Sequence, residues 1–188
     1  TPDNLDSIGG MDALKKYLTN KAQIVKRIAD ARRYGVAVPK GVFIVGMPGC
    51  GKSLCAKASA ALFESPLLKL DMGSMMGKYV GEKGFSGVGG NNDIMTRMFG
   101  YFLSWMQDKA SSVYVIATAN NADALPPELK RKGRFDEIFC VNLPNSEERK
   151  AIFTVHLNKK EREGCVKGTI DYQQLATATT GFNGADIE

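Results

Sequence analysis

The chain has a single histidine and only four cysteines, Cys50, Cys55, Cys140 and Cys165, with no Cys-x-x-Cys pair among them. That shortage excludes the common zinc patterns, which need cysteines or histidines at short paired spacings. No His-Glu-x-x-His occurs either, so there is no signature of a metalloprotease centre. No apolar run approaches the ~18 residues of a membrane span, and no membrane association is expected. Charge of one sign is also scarce. The 25 Lys and Arg residues against 20 Asp and Glu leave a net charge of only +5. The basic residues are scattered over Lys15-Lys16, Arg32-Arg33, Lys130–Arg134 and Lys159–Arg162. A nucleic-acid binder concentrates them on one element, so nucleic acid is not an expected partner. The unpaired cysteines fit reduced thiols in an intracellular compartment.

What is present suits an ordinary globular domain: 188 residues, 44% hydrophobic and 24% charged. Leu14, Leu18, Ile24 and Ile28 recur at helical spacing and predict helices within 11–34. Gly41–Val45 is a short apolar run of buried-strand type, and Ser53–Phe63 is alanine-rich and helix-prone. Further strands are predicted at Leu67–Leu70, Val113–Ala117 and Ile138–Val141, with an amphipathic helix over Met95–Met106. Pro144-Asn145-Ser146 before Glu147-Glu148 reads as a helix start, and Tyr172–Glu188 as helical. Strands alternating with helices predict an α/β fold, a parallel sheet covered on both faces.

Between the first strand and the helix after it runs Gly46-Met47-Pro48-Gly49-Cys50-Gly51-Lys52-Ser53, which satisfies G-x-x-x-x-G-K-[ST] in the required strand–loop–helix context. The glycines allow successive backbone N–H groups to turn inward around phosphate oxygens, and the new helix adds its positive end. Lys52 is suited to the outer phosphates and Ser53 to Mg²⁺. GTPases usually add an Asn-Lys-x-Asp box. The nearest approach, Asn158-Lys159-Lys160-Glu161, lies in a charged stretch and reads as surface. ATP is therefore the expected nucleotide.

With this loop in place, four further segments resemble the AAA+ ATPases in the family's own order: Asp6-Ser7-Ile8-Gly9-Gly10, Ile116-Ala117-Thr118-Ala119-Asn120, Arg131-Lys132-Gly133-Arg134-Phe135-Asp136, and Gly181-Phe182-Asn183-Gly184-Ala185-Asp186. Ala117–Asn121, Leu125–Leu129 and Gly133–Phe139 are similar to a branch found in cyanobacteria and algal plastids. The resemblance implies a P-loop NTPase sheet with helices on both faces over residues 1–144, then the first part of a small helical lid over 145–188. It implies MgATP as ligand, self-association as a hexamer and a protein substrate. The implied location is the cytoplasm, or the plastid stroma for a plastid-encoded chain.

The resemblance also assigns roles. Ile8 and Gly9 line the adenine pocket with His156, Gly184 and Ala185, while Gly46 through Ser53, with Leu54, hold the phosphates. Asn120 positions the attacking water. Arg131 and Arg134 act in trans on a neighbouring subunit's ATP. Tyr79 and Val80 form a pore loop. Plainer readings stand beside these. His156 sits among Phe153, Val155 and Leu157 and suits simple packing; Arg131 and Arg134 sit in a basic cluster; Tyr79 suits a core or loop; Asn120 suits a turn cap.

One motif is missing. The family's apolar strand ending in Asp-Glu, which supports Mg²⁺ and polarises water, has no counterpart; the lone Asp136-Glu137 pair follows no apolar strand. Gly81-Glu82 is followed directly by Lys83-Gly84-Phe85-Ser86-Gly87, as though a helix and a strand, roughly 20–30 residues by ordinary element lengths, were deleted near 82–83. Such a loss leaves Leu67–Leu70 without a neighbour.

Overall fold

The computed structural model describes residues 4–69, 90–108, 113–120, 131, 133–158 and 169–188. They fall into two compact units, 1–65 with 111–188, and 66–110.

Among its described residues the first unit is built on three parallel strands in the order β2-β1-β3: β1 is Gly41–Gly46, β2 Val115–Ala119 and β3 Glu137–Val141. Val42 and Ile44 are fully buried and Val45 nearly so. A central parallel strand is covered on both faces, which is why its sequence is continuously apolar instead of alternating. Each such side chain contributes roughly 1.5–3 kcal/mol by leaving water. In register, Gly41 faces Val115 on one side, Val45 faces Ala119 and Cys140, and Gly46 faces Val141.

Helix α1, Asp12–Lys26, buries Leu14, Leu18 and Ala22, a stripe at four-residue spacing. It breaks at Arg27 before α2, Ile28–Arg33. Helix α3, Lys52–Phe63, buries the small residues Cys55, Ala58 and Ser59. Their size lets the helix approach closely, and Ser59 satisfies its hydroxyl on the Cys55 carbonyl at 2.7 Å. Leu5, Ile8, the α1 stripe, β1 and α3 together make one core.

Three more helices follow β3. Helix α5, Ser146–Leu157, starts with a reciprocal cap: Glu148 N donates to Asn145 Oδ1 and Asn145 N to Glu148 Oε2, at 3.0 and 2.9 Å. Helix α6 is Tyr172–Ala178, capped by Asp171, and α7 is Gly184–Ile187, capped by Asn183. Buried Arg149 ties α5 to the end of α6. Its Nε and Nη2 donate to the Ala176 carbonyl at 3.1 and 2.8 Å, and Nη1 to that of Pro144 at 2.7 Å. A guanidinium against the last carbonyls of a helix is favoured by the charge at that end.

The second unit contains α4, Gly90–Asp108, longer at both ends than the predicted Met95–Met106. Leu103 and Met106 are buried while Tyr101 and Trp105 are exposed. The strand predicted at Leu67–Leu70 does not form over the described residues 67–69, and Leu68 is 91% exposed. A strand forms only where a neighbour takes its backbone N–H and C=O groups, and these residues have no pairing partner among the described ones. The strand predicted at Val113–Ala117 runs two residues later than expected, over Val115–Ala119, because its register is set by Gly41–Val45 opposite.

Candidate functional site

At the carboxyl end of β1 the chain turns through Gly46–Gly51 into α3. Gly49 and Gly51 have φ of 78° and 76°, the left-handed region that side chains resist. The turn brings Lys52, first residue of α3, back over its own loop. Its Nζ donates to the Gly46 carbonyl at 2.8 Å and the Met47 carbonyl at 2.6 Å. Lys52 is only 6% exposed. Burial pulls its ammonium below the usual lysine range, with Cys50 opposing. No carboxylate among the described residues pairs with it. A buried cation held by carbonyls alone, at a helix N-terminus, is short of an anion.

The rest of the loop fits the same ligand. Ser53 stands exposed at the second position of α3, where a hydroxyl can reach a metal beside the phosphates. Cys50 is buried, and burial pushes its thiol up, Lys52 opposing and Asp186 adding. It therefore remains a neutral thiol at pH 7 and does not compete with phosphate. Leu54 is half-buried against the core and anchors the first turn of α3. Met47 is 54% exposed on the outer side of the loop, and Pro48 is exposed beside it.

Asn120 follows Ala119, the partner of Val45, so it stands exposed at the same carboxyl edge as Gly46. The amino-terminal turn and α7 lie against the loop, and α5 lies against that amino-terminal turn. Met11 Cε lies 3.1 Å from where a Cβ on Gly51 would stand. Gly9 is pressed against α5: a Cβ there would meet Ile152 N at 2.6 Å, which only glycine avoids. His156 is one turn beyond Ile152 on the same face of α5, and its Nδ1 lies 3.8 Å from Glu188 Oε1. Ile8, expected in the adenine pocket, has its side chain in the core, and its carbonyl accepts from Lys15 Nζ at 2.5 Å. Ala185 N donates to the Gly49 carbonyl at 3.1 Å, and a Cβ on Gly184 would stand 3.0 Å from that oxygen.

Arg131 is exposed and Arg134 half-buried, in a segment fixed at the other end of the sheet. Asp136 Oδ2 accepts from Lys40 N at 2.9 Å and Gly41 N at 3.2 Å, and Lys40 Nζ donates to the Gly133 carbonyl at 2.8 Å. Phe135 is buried edge-on against Phe43. Tyr79, Val80 and the junction near 82–83 lie outside the described residues.

Sequence reasoning overlooked Lys15, Glu148 and Arg149. Glu148 receives a long 3.4 Å bond from Met11 N besides closing its cap. The Asn-x-x-Glu spacing of 145–148 was a visible signal for the cap; nothing in sequence foretold that the same carboxylate touches the amino-terminal turn.

A model for the ATPase family associated with various cellular activities (AAA) matches residues 42–86 and 85–143. The chain belongs to the AAA ATPase family. It is similar to the AAA domain-containing protein ycf46 of Guillardia theta, 41% identical over 212 residues, covering 98% of this chain and 41% of that protein. It is 39% identical to the ycf46 protein of Pyropia yezoensis, covering 96% of this chain and 42% of that one. It is 29% identical to the ATP-dependent zinc metalloprotease FtsH of Marinobacter nauticus, covering 98% of this chain and 34% of that protein. The chain thus spans about two fifths of the ycf46 proteins. An alignment of 212 positions that uses 98% of 188 residues leaves about 28 positions of the Guillardia protein opposite gaps in this chain. Among the described residues no helix is long and apolar enough to cross a membrane.

Proposed function

We propose that this chain is the nucleotide-binding module of an AAA ATPase that binds MgATP, assembles into a ring of six and couples hydrolysis to remodelling a protein partner. The observation that carries the reading is Lys52, a buried ammonium curled into a left-handed glycine loop with carbonyls as its described partners. Backbone N–H groups of Gly49 to Ser53 and the Lys52 ammonium hold the phosphates, and Ser53 holds Mg²⁺, which neutralises charge developing on the phosphoryl oxygens. Asn120 orients water at the same edge. Gly9, His156, Gly184 and Ala185 surround the base.

Arg131 and Arg134 act in the neighbouring subunit. The segment that carries them is fixed to Lys40 and Gly41 through Gly133 and Asp136, about 17 Å along β1 from Gly46 at ~3.3 Å per residue. That separation favours a trans role. Tyr79 and Val80 grip the polypeptide. The resemblance to the algal branch supports a plastid stroma location, with the cytoplasm as the alternative. Sedimentation with and without MgATP tests the assembly: ATP-dependent hexamers are expected, and monomers at all concentrations would contradict it.

A second reading is favoured by the missing acidic strand. In it the chain binds ATP without hydrolysing it and serves as an assembly or regulatory subunit. The family match in two pieces that meet at 85–86, with about 28 relative positions unmatched, supports a deletion of a helix and the Asp-Glu strand near 82–83. Losing such positioned groups costs on the order of a hundredfold or more in rate. The 188-residue chain would then bind nucleotide with phosphate release near background, and restoring a helix and acidic strand between Glu82 and Lys83 would raise turnover. Brisk hydrolysis by the chain unaltered, abolished by Lys52→Ala, would remove this second reading.

A further inference from the structure

The last turn of the helical segment is seated on the phosphate loop through a residue outside the nucleotide-contact set above. Asn183 Oδ1 accepts from Ala185 N at 2.9 Å and Asp186 N at 3.0 Å, and Asp186 Oδ2 accepts from Asn183 N at 2.9 Å. That is a complete reciprocal cap on α7. The same Asn183 side chain stands against Gly49, so closely that a Cβ on Gly49 would collide with its Oδ1. Ala185 N also donates to the Gly49 carbonyl, at 3.1 Å. Gly184 leaves only 3.0 Å between a would-be Cβ and that carbonyl oxygen. Four residues of helix have little stability of their own, so these contacts fix where the turn sits.

We propose that Asn183 is a positioning residue that seats the 183–186 turn on Gly49, so that the shape of the phosphate loop and the closure of the helical segment are set together. Capping and seating use one carboxamide: its oxygen holds the turn while its body packs on the loop. A nucleotide that reshapes the loop therefore moves the turn, and a turn that lifts away loosens the loop. The effect on nucleotide affinity rests on the ATP-binding reading above; the seating itself does not.

Two measurements on the whole chain separate these. The first is the rate at which iodoacetamide modifies Cys50 without nucleotide, followed by peptide mass spectrometry. The second is MgATP affinity by calorimetry. Asn183→Ala should speed Cys50 modification and weaken ATP binding, each about fivefold, the factor matching a lost cap of about 1 kcal/mol. Gly184→Ala keeps the cap but presses on the Gly49 carbonyl, and should do the same. Asn183→Asp caps as well as asparagine, so Cys50 should be modified within about twofold of the wild-type rate. Its added carboxylate beside the loop should still weaken ATP binding about tenfold, less so at high salt.

Wild-type Cys50 rates in both Asn183→Ala and Gly184→Ala would overturn the proposal. Wild-type ATP affinity in Asn183→Asp would also overturn it, by confining the residue to capping. If the wild-type chain binds no ATP yet Cys50 protection still depends on Asn183, the seating stands and the nucleotide reading falls.

Discussion

The two ends of β1 carry different chemistry on one strand. At the carboxyl end, Gly46 opens a loop whose working groups are backbone amides, one buried ammonium and an exposed hydroxyl. At the amino end, Lys40 and Gly41 are fastened by Asp136, and Arg131 and Arg134 lie just before it in the chain. The carboxyl end gathers groups suited to an anion. The amino end holds cations the length of the strand away from that loop. The family's segments lie far apart in sequence, and the sheet sorts them into a receiving edge and a donating edge. In the function proposed above, the nucleotide-binding groups of one copy would be completed by the charge-stabilising groups of the next.

The largest effect should come from breaking the donating edge alone. Arg134→Ala or Arg131→Ala should lower ATP turnover about a thousandfold, the scale of an arginine finger, in a chain that hydrolyses ATP, with ATP affinity unchanged. Mixing either variant with Lys52→Ala should give activity that departs from linear dilution. Strictly linear dilution, or loss of ATP binding in the arginine variants, would return both residues to ordinary surface charge or to a cis role.

Arg149→Met tests whether the helices after β3 stand on their buried guanidinium. Three hydrogen bonds to the Ala176 and Pro144 carbonyls are lost, and about 3 kcal/mol is expected. For a chain of this size that lowers Tm by about 6–12 °C, read by thermal unfolding. ATP affinity should fall with it, because α7 borders the loop and α5 borders the amino-terminal turn beside it. An unchanged Tm would mean that these helices are held by apolar contacts.

Asp136→Ala sharpens the comparison from the other side. Two backbone donors at the start of β1 lose their acceptor, costing about 2 kcal/mol. ATP affinity should hold, since the loop lies at the far end. Affinity that falls in step with stability would show that the two ends are not independent.

How far the sequence foretold this arrangement depends on how local each signal was. The strand at Gly41 and the loop after it were legible because an apolar run, two obligatory glycines and a lysine at fixed spacing leave few alternatives. The helix starts at Ser146 and the cap at Asn145 were equally local. The seating of Asn183 on Gly49 was not, since the two are 134 positions apart and nothing in either stretch names the other. The placing of Ile8 was not local either: its side chain lies in the core formed with α1 and α3. Leu67–Leu70 has strand-like composition, but composition cannot supply a partner strand, and Leu68 stands exposed.

The smallest expected effect is a pH dependence. Burial chiefly, with the Asp136 and Glu137 carboxylates adding and Tyr114 opposing, pushes Tyr17 up from 10.0 to about 12. The folded state therefore holds this proton more tightly than the unfolded one. Its contribution is fully present below pH 10 and is lost as pH rises from 10 to about 12. Denaturant unfolding across that range should show a shallower loss in Tyr17→Phe than in wild type. Identical slopes would mean that Tyr17 ionises as freely in the folded chain as in water.

The central claim is that Lys52 completes an anion site for MgATP at the carboxyl edge, and calorimetric titration of MgATP into wild type and Lys52→Ala tests it most directly. Wild type should bind, and Lys52→Ala should lose at least a hundredfold in affinity while its circular dichroism spectrum stays that of the folded chain. Equal binding by the two folded proteins would contradict the account.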